Sequence, residues 1–419
     1  MFKQIKFLIL TVLFLTSCQK KPIPSAYSAP ILCDDTPKTV ENDTVLPVDI
    51  AFGDGRMSYQ GPPDPIQSPY FDGYHFRSHD GTKIHKLFSF SPANNDFILD
   101  HVSPDKKWVL LSILPSHLRE QHIDYPYDFW LIPWDGKSSF DSLDKNSGEK
   151  ISGLPERSSV VRWLSKKVLL FRTSSKKWGD YSEDMLITLN TETGERKKYS
   201  FPYHKYETYK VSPQGTHVAY FDHLHVPTKL TILNLENKKT VYIDVSSVPD
   251  PISSFSWSPD GTHLVVEIAK YVDETKEETN YGVYITDLEG NIVQIAGFNA
   301  TPEEENVFYS IRNLEWSLDG GKIAIRTSIY TSDDTLPYTP YENYIYIYDF
   351  EDKSLVRLCY AASPTGGVLW SSKGNYILGV RSPYETLNND WVLVDVNSGE
   401  AWEFPHTNLL SVRYLWEVE

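Results

Sequence analysis

The sequence is poor in the features that mark several common protein classes. Its 419 residues include only three cysteines, Cys18, Cys33 and Cys359, too few for a scaffold built on disulfides. Lysine and arginine number 40 against 56 acidic residues, a net charge of −16, and they form no cluster of the kind that grips a phosphate backbone. Nucleic acid is thereby excluded as a partner. No apolar run approaches the roughly 20 residues that a membrane-spanning helix needs. A G-x-S-x-G nucleophile elbow is also absent, which argues against a serine peptidase of the α/β-hydrolase type.

What the chain does have is a recurring phrase. Residues 255–267 read FSWSPDGTHLVVE, and worn copies return with the Ser of Ser258 aligned on Ser103, Ser212, Ser317 and Ser371, and on Leu164 in the most degraded copy. Pro259 presets φ for the first central position of a tight turn, Asp260 suits the second, and Gly261 accepts the positive φ that follows. On one side lies an apolar–polar alternation ending in Trp257. On the other lies the β-branched run Leu264-Val265-Val266, suited to a buried strand. Each copy is followed by a second hairpin, clearest in Tyr281 to Leu288 with its turn at Glu289-Gly290 and its return over Asn291 to Ile295. Each repeat is thus four antiparallel strands, and a period of roughly 40–60 residues belongs to propeller-like arrays.

The predicted fold is an all-β β-propeller over residues 70–419. Its blades bury both faces against their neighbours. Trp163, Trp257, Trp316 and Trp370 end the first strand of four copies and are expected to enter the seams between blades, each indole N–H needing one acceptor. Six complete units lie between Phe97 and Phe404. Leftover strands before and after them (Tyr74 to Arg77, Lys83 to Phe90 and Leu409 to Trp416) predict a seventh blade split between the termini, with six blades as the alternative. The second strand of that split blade would come from Val45 to Phe52, where Pro47 argues for an edge strand or none.

The six phrases resemble the WD40-like repeats of the TolB propeller family, shared with the propeller domains of prolyl oligopeptidase and dipeptidyl peptidase IV relatives. The resemblance covers nearly the whole chain beyond its N-terminal part and implies the fold. It implies no site, because the repeat encodes a turn and a packing seam. Departures are frequent: Lys106 replaces Gly, Gln214 and Lys373 replace Asp, and Leu318 and Ser372 replace Pro. Oligogalacturonate lyases carry similar repeats and a His-based metal site, whose histidines cannot be matched to this sequence residue by residue.

The first 17 residues read as a signal peptide: basic Lys3 and Lys6, then an apolar run from Phe7 to Leu15. Leu15-Thr16-Ser17-Cys18 resembles a bacterial lipobox, which implies lipidation of Cys18 and attachment to a membrane through acyl chains. Gln19 rather than Asp after that cysteine points to the outer membrane, on its periplasmic or surface face. Residues 18–69 are polar and rich in proline and are expected to form a disordered tether. Cys33 and Cys359 either pair or remain free thiols.

Function is expected on the face opposite the SPDG turns, where the loops between second and third strands do not repeat. The candidate ligand-binding residues there are His117, Arg119, His122, Tyr125, His223, His225, Tyr330, Tyr338, Arg381 and Tyr384. These residue types stack on sugars or grip an extended peptide. The expectation is a binding platform for an envelope protein or glycan, with no catalytic residues, no cofactor and no metal. The alternative is a metal-assisted polysaccharide lyase or hydrolase, for which His223 and His225, two apart on an extended segment, have suitable spacing.

Overall fold

A computed structural model describes residues 23–417 apart from segments between strands, the longest being 57–69, 115–127, 134–147, 175–182, 246–253, 299–306, 332–341, 360–367 and 382–389. Among the described residues every regular element is a β-strand. The strands form seven sheets. Six of these follow the six phrases in order, spanning residues 96–150, 158–202, 209–244, 255–297, 307–358 and 369–404, each a meander of consecutive antiparallel strands. The seventh is composite, in the order Leu409–Glu417, Val48–Arg56, Tyr70–Arg77 and Ile84–Ser89. Its first strand lies beside Leu369–Trp370 of the sixth sheet on one side and Asp96–Val102 of the first on the other, closing the ring.

Pro47 does not weaken the composite sheet. The strand begins one residue later at Val48 and is an interior strand, paired on both sides with Leu409–Glu417 and Tyr70–Arg77, so the missing proline N–H interrupts no ladder.

The core consists of seams. Successive side chains of a strand point to opposite faces, and here both faces are buried. In Lys322–Thr331 of the fifth sheet, Ile323 and Ile325 pack toward the fourth sheet while Ala324 packs toward the sixth. Its neighbour Glu342–Asp349 divides likewise, Tyr346 and Tyr348 one way, Ile345 and Ile347 the other. Each apolar cluster among the described residues draws on two successive sheets, as Phe221 and Phe255 do across the third seam at 4.9 Å between ring centroids. Complete burial of such a side chain contributes about 1.5–3 kcal/mol relative to exposure. A blade alone would leave both of these faces in water.

The tether expectation is corrected over residues 23–56. Ser25 bridges Gly297 in the outer strand of the fourth sheet, Ile31–Leu32 adds in parallel to Ser354–Leu358 of the fifth, and Lys38–Thr39 adds in parallel to Ala401–Phe404 of the sixth. The chain then enters the seventh sheet at Val48. It forms a strap round the rim, advancing one sheet about every seven residues. Backbone bonds fix it: Ala26 N–H to the Gly297 carbonyl (2.9 Å), Arg357 N–H to Pro30 (2.9 Å) and Val40 N–H to Glu403 (2.8 Å). Ala26 is buried in the fourth seam, and Leu46, Val48 and Ile50 are buried against Trp402 and Phe404. Lys38 pairs with Glu400 and lies 5.5 Å above the Trp402 ring. Cys33 and Cys359 form a disulfide with their Cα atoms 5.1 Å apart, closing that question in favour of pairing. Proline density suggested disorder, yet Pro24 and Pro30 dock through their carbonyls, and the rigid extended backbone that proline favours suits a strap. The propeller accordingly begins well before residue 70.

Candidate functional face

The phrase that defines the repeat is consumed by structure. The hydroxyl of Ser258 accepts the His263 N–H at 3.0 Å and donates to Asp260 Oδ1 at 2.6 Å, so one buried side chain closes the hairpin from within. Ser317 does the same with Lys322 N–H (2.8 Å) and Asp319 (2.6 Å), and Ser103 with Trp108 N–H (2.9 Å) and Asp105 (2.7 Å). Ser371 accepts the Tyr376 N–H at 2.9 Å. All four serines are buried. Burial opposes ionisation of Asp260, but hydrogen bonds from Ser258 and Thr262 outweigh it and hold the carboxyl below its ordinary range. Where Gln214 replaces the Asp, its amide instead reaches across to the Pro259 carbonyl of the next turn, at 3.4 Å. Gly261 sits at φ 64°, the left-handed conformation that the turn demands.

The tryptophans enter the seams as expected, and three of them share one acceptor geometry. The indole N–H of Trp257 donates to the Lys210 carbonyl (2.8 Å), that of Trp316 to Ser256 (3.2 Å) and that of Trp370 to Glu315 (3.2 Å). In every case the acceptor lies on the first strand of the preceding blade. Trp163 Nε1 has no hydrogen-bond partner among the described residues, and its blade is the one whose turn is shortened.

Because each sheet is an up-and-down meander, the loops joining its second and third strands all leave from the side opposite these turns. Two of the candidate binding residues are described there. Tyr330 and Arg381 occupy the loop-side ends of second strands in adjacent sheets, Tyr330 in register with Phe308 and Arg381 with Asp390. His117, Arg119, His122, Tyr125, His223, His225, Tyr338 and Tyr384 lie outside the described residues.

Several solved structures share this architecture. The chain is similar to TolB from Acinetobacter baumannii (13% identity, 88% of this chain and 82% of that one, TM-score 0.39). It is also similar to prolyl oligopeptidase B from Galerina marginata (14% identity, 83% and 48%, TM-score 0.50) and to an oligogalacturonate lyase in complex with manganese (11% identity, 87% and 85%, TM-score 0.42). The chain spans about half the length of the oligopeptidase. The likeness is one of fold. No family model matches the sequence, and no curated protein matches it.

One buried charge and one half-buried charge escaped the sequence reading. Glu267, in the second strand of the fourth sheet, is 1% exposed. Its carboxyl is held across the seam, accepting the Ser254 N–H at 3.3 Å and the Ile311 N–H of the fifth sheet, with Arg312 nearby. Oε1 has no hydrogen-bond partner among the described residues. Burial pushes this carboxyl well above the ordinary glutamate range, and the two amides and Arg312 only partly oppose the shift. The signal was legible in principle, since Glu267 interrupts the apolar run from Leu264 to Ile268 where the copies place Ser112, Phe221, Arg326 and Val380.

Arg162 is the second. Its guanidinium donates to the Val211 carbonyl of the next blade, and burial lowers its pKa while the charge of Glu315, from the fifth sheet, pulls it back up. Arg162 and Glu315 both lie on first strands, which edge the centre of the ring. Among the described residues, neither group has the partners of a nucleophile or a general acid–base pair. Their geometry is that of struts between blades.

Proposed function

We propose that the chain is a lipid-anchored β-propeller of the bacterial cell envelope, anchored through Cys18 in the outer membrane on its periplasmic or surface face. In this reading it serves as a binding platform for an envelope protein or glycan, without chemistry of its own. The observation that carries the reading is the division of labour between the two faces. The repeated polar residues are used up in turns and seams, and the strand ends that the non-repeating loops join all lie on the other side. The Cys33–Cys359 disulfide supports export, since such bonds persist in oxidising compartments.

The test is cross-linking in intact envelopes, followed by recovery of the full-length protein. The expected result is one dominant partner, lost when Tyr338 and Tyr384 are changed to Ala together with His117 and His223. Turnover of a polysaccharide by the purified protein, abolished by His223→Ala and His225→Ala and tied to stoichiometric metal, would instead establish the enzymatic alternative.

A further inference from the structure

A propeller on a chain end could hang free or lie against the surface that holds it. The distance between anchor and first docking point decides which. The described strap is already on the fourth sheet by residue 24, where the Pro24 carbonyl accepts the Gly297 N–H at 3.0 Å. Only residues 19–22 separate Cys18 from Ile23. Fully extended, the five steps from Cys18 to Ile23 reach about 17 Å, less than the diameter of a small domain.

The rim beside that point carries several of the large apolar side chains that are exposed among the described residues. Of the seven large hydrophobic side chains exposed among the described residues, five lie on the outer edges of the third to fifth sheets or on the strap there: Tyr242, Ile292, Val293, Ile23 and Ile31. Val293 is 65% exposed and Ile23 is 52% exposed. The outer strand of the third sheet passes close to the turn that leads into Ile292, for a Cβ on Gly290 would fall 2.9 Å from Val241 Cγ1, and Tyr242 is the next residue of that strand, its side chain turned to the opposite face. Singly exposed apolar residues need no explanation, but a concentration of them at one place on a surface marks an interaction site.

We propose that this rim, centred on the outer strand Ile292–Gly297, rests on the lipid bilayer, with Ile23, Ile292 and Val293 at the boundary of headgroups and acyl chains. The occupant is the leaflet that carries the acyl chains of Cys18, and the inference rests on that lipid-anchored reading. Apolar side chains supply the attraction, since a chain of net charge −16 gains nothing from anionic lipid. The propeller would then stand on edge, with its loop face pointing along the membrane and its axis roughly parallel to it. Partners would approach from the side.

The experiment uses the full-length lipidated protein in phosphatidylcholine–phosphatidylethanolamine vesicles containing a nitroxide-labelled lipid. A fluorophore is attached at Val293→Cys or, as the control, at Glu149→Cys in the outer strand of the first sheet, three sheets away round the ring. Quenching is expected to be at least about threefold stronger at 293, because a face seated at that boundary lies within ~5–10 Å of the acyl chains. Changing Ile23, Ile292 and Val293 together to Ser should bring a probe at position 242 down to the control level. Equal quenching at 293 and 149, or cross-linking of two copies through position 293, would overturn the docked rim while leaving the anchor intact. The mass of the N-terminal peptide reports the anchor separately: an unacylated Cys18 would remove both.

Discussion

Glu267 shows what a single buried residue can do to a seam. Its carboxyl is pushed up by burial, so the native state holds the proton more tightly than the unfolded chain does, and stability is greatest below the unfolded pKa of about 4.3. As pH rises from there toward the folded value, the unfolded state releases its proton first and stability declines. Glu267→Gln removes that titration while keeping the shape. The expected outcome is a variant that gains on the wild type as pH rises from 4 to 8, seen as a growing difference in denaturation midpoint. A flat difference across that range would mean that the carboxylate is ionised in the fold. Residues of this sort were hard to read in the sequence. The repeat revealed the turn residues Pro259, Asp260 and Gly261 because their chemistry is local. The role of Ser258 depends on a backbone amide five residues away and emerged only from the structure.

Among the elements, the four-stranded units were legible and the strap was not. A phrase such as SPDG carries its own turn geometry and is flanked by strands of clear alternation, so each blade declares itself within a short window. The strap consists of strands two residues long, chosen by outer edges more than 300 positions away in the sequence, and its composition is that of a linker. Only the pairing of Cys33 with Cys359, at a separation of 326 residues, could have hinted at it, and spacing alone left that open. Cys33→Ser tests what the bond contributes. Closing so long a loop is worth about 6 kcal/mol in the chain-entropy account, while disulfides typically deliver about 2–4 kcal/mol. The variant is therefore expected to unfold at lower denaturant, and hydrogen exchange should quicken at the strap amides of Ala26 and Val40 before the blades themselves open.

For the whole molecule, closure between the two ends of the chain is the controlling feature. The strands Val48–Arg56, Tyr70–Arg77 and Ile84–Ser89 come from one end and the innermost strand Leu409–Glu417 from the other. Removing 409–417 strips the inner partner from Val48–Arg56 and opens two seams at once, those toward the first and sixth sheets. The truncated chain is expected to lose its single cooperative transition, with the terminal sheets melting ahead of the rest in thermal unfolding followed by circular dichroism. A single sharp transition at the wild-type temperature would show that the ring does not depend on the join. The split blade was foreseeable from leftover strands at both ends. The loop face was foreseeable only as a location, because non-repeating loops offer no periodicity from which to infer how they converge.

The strap also determines how the molecule would bear load. Tension applied at its N-terminal end meets first the few hydrogen bonds around Ser25 to Pro30, which lie on an outer edge and can peel one at a time. It then reaches Cys33, where the path becomes covalent and turns into the fifth sheet through Cys359. The pull stops there. Val40, Leu46 and the join at Val48 lie further along the chain and are shielded from the force, so the ring stays closed while the first turn of the strap stretches and recoils. A chain pulled from its N-terminal end would thus have a compliant leader and a fixed stop, placed ahead of the join that holds its shape.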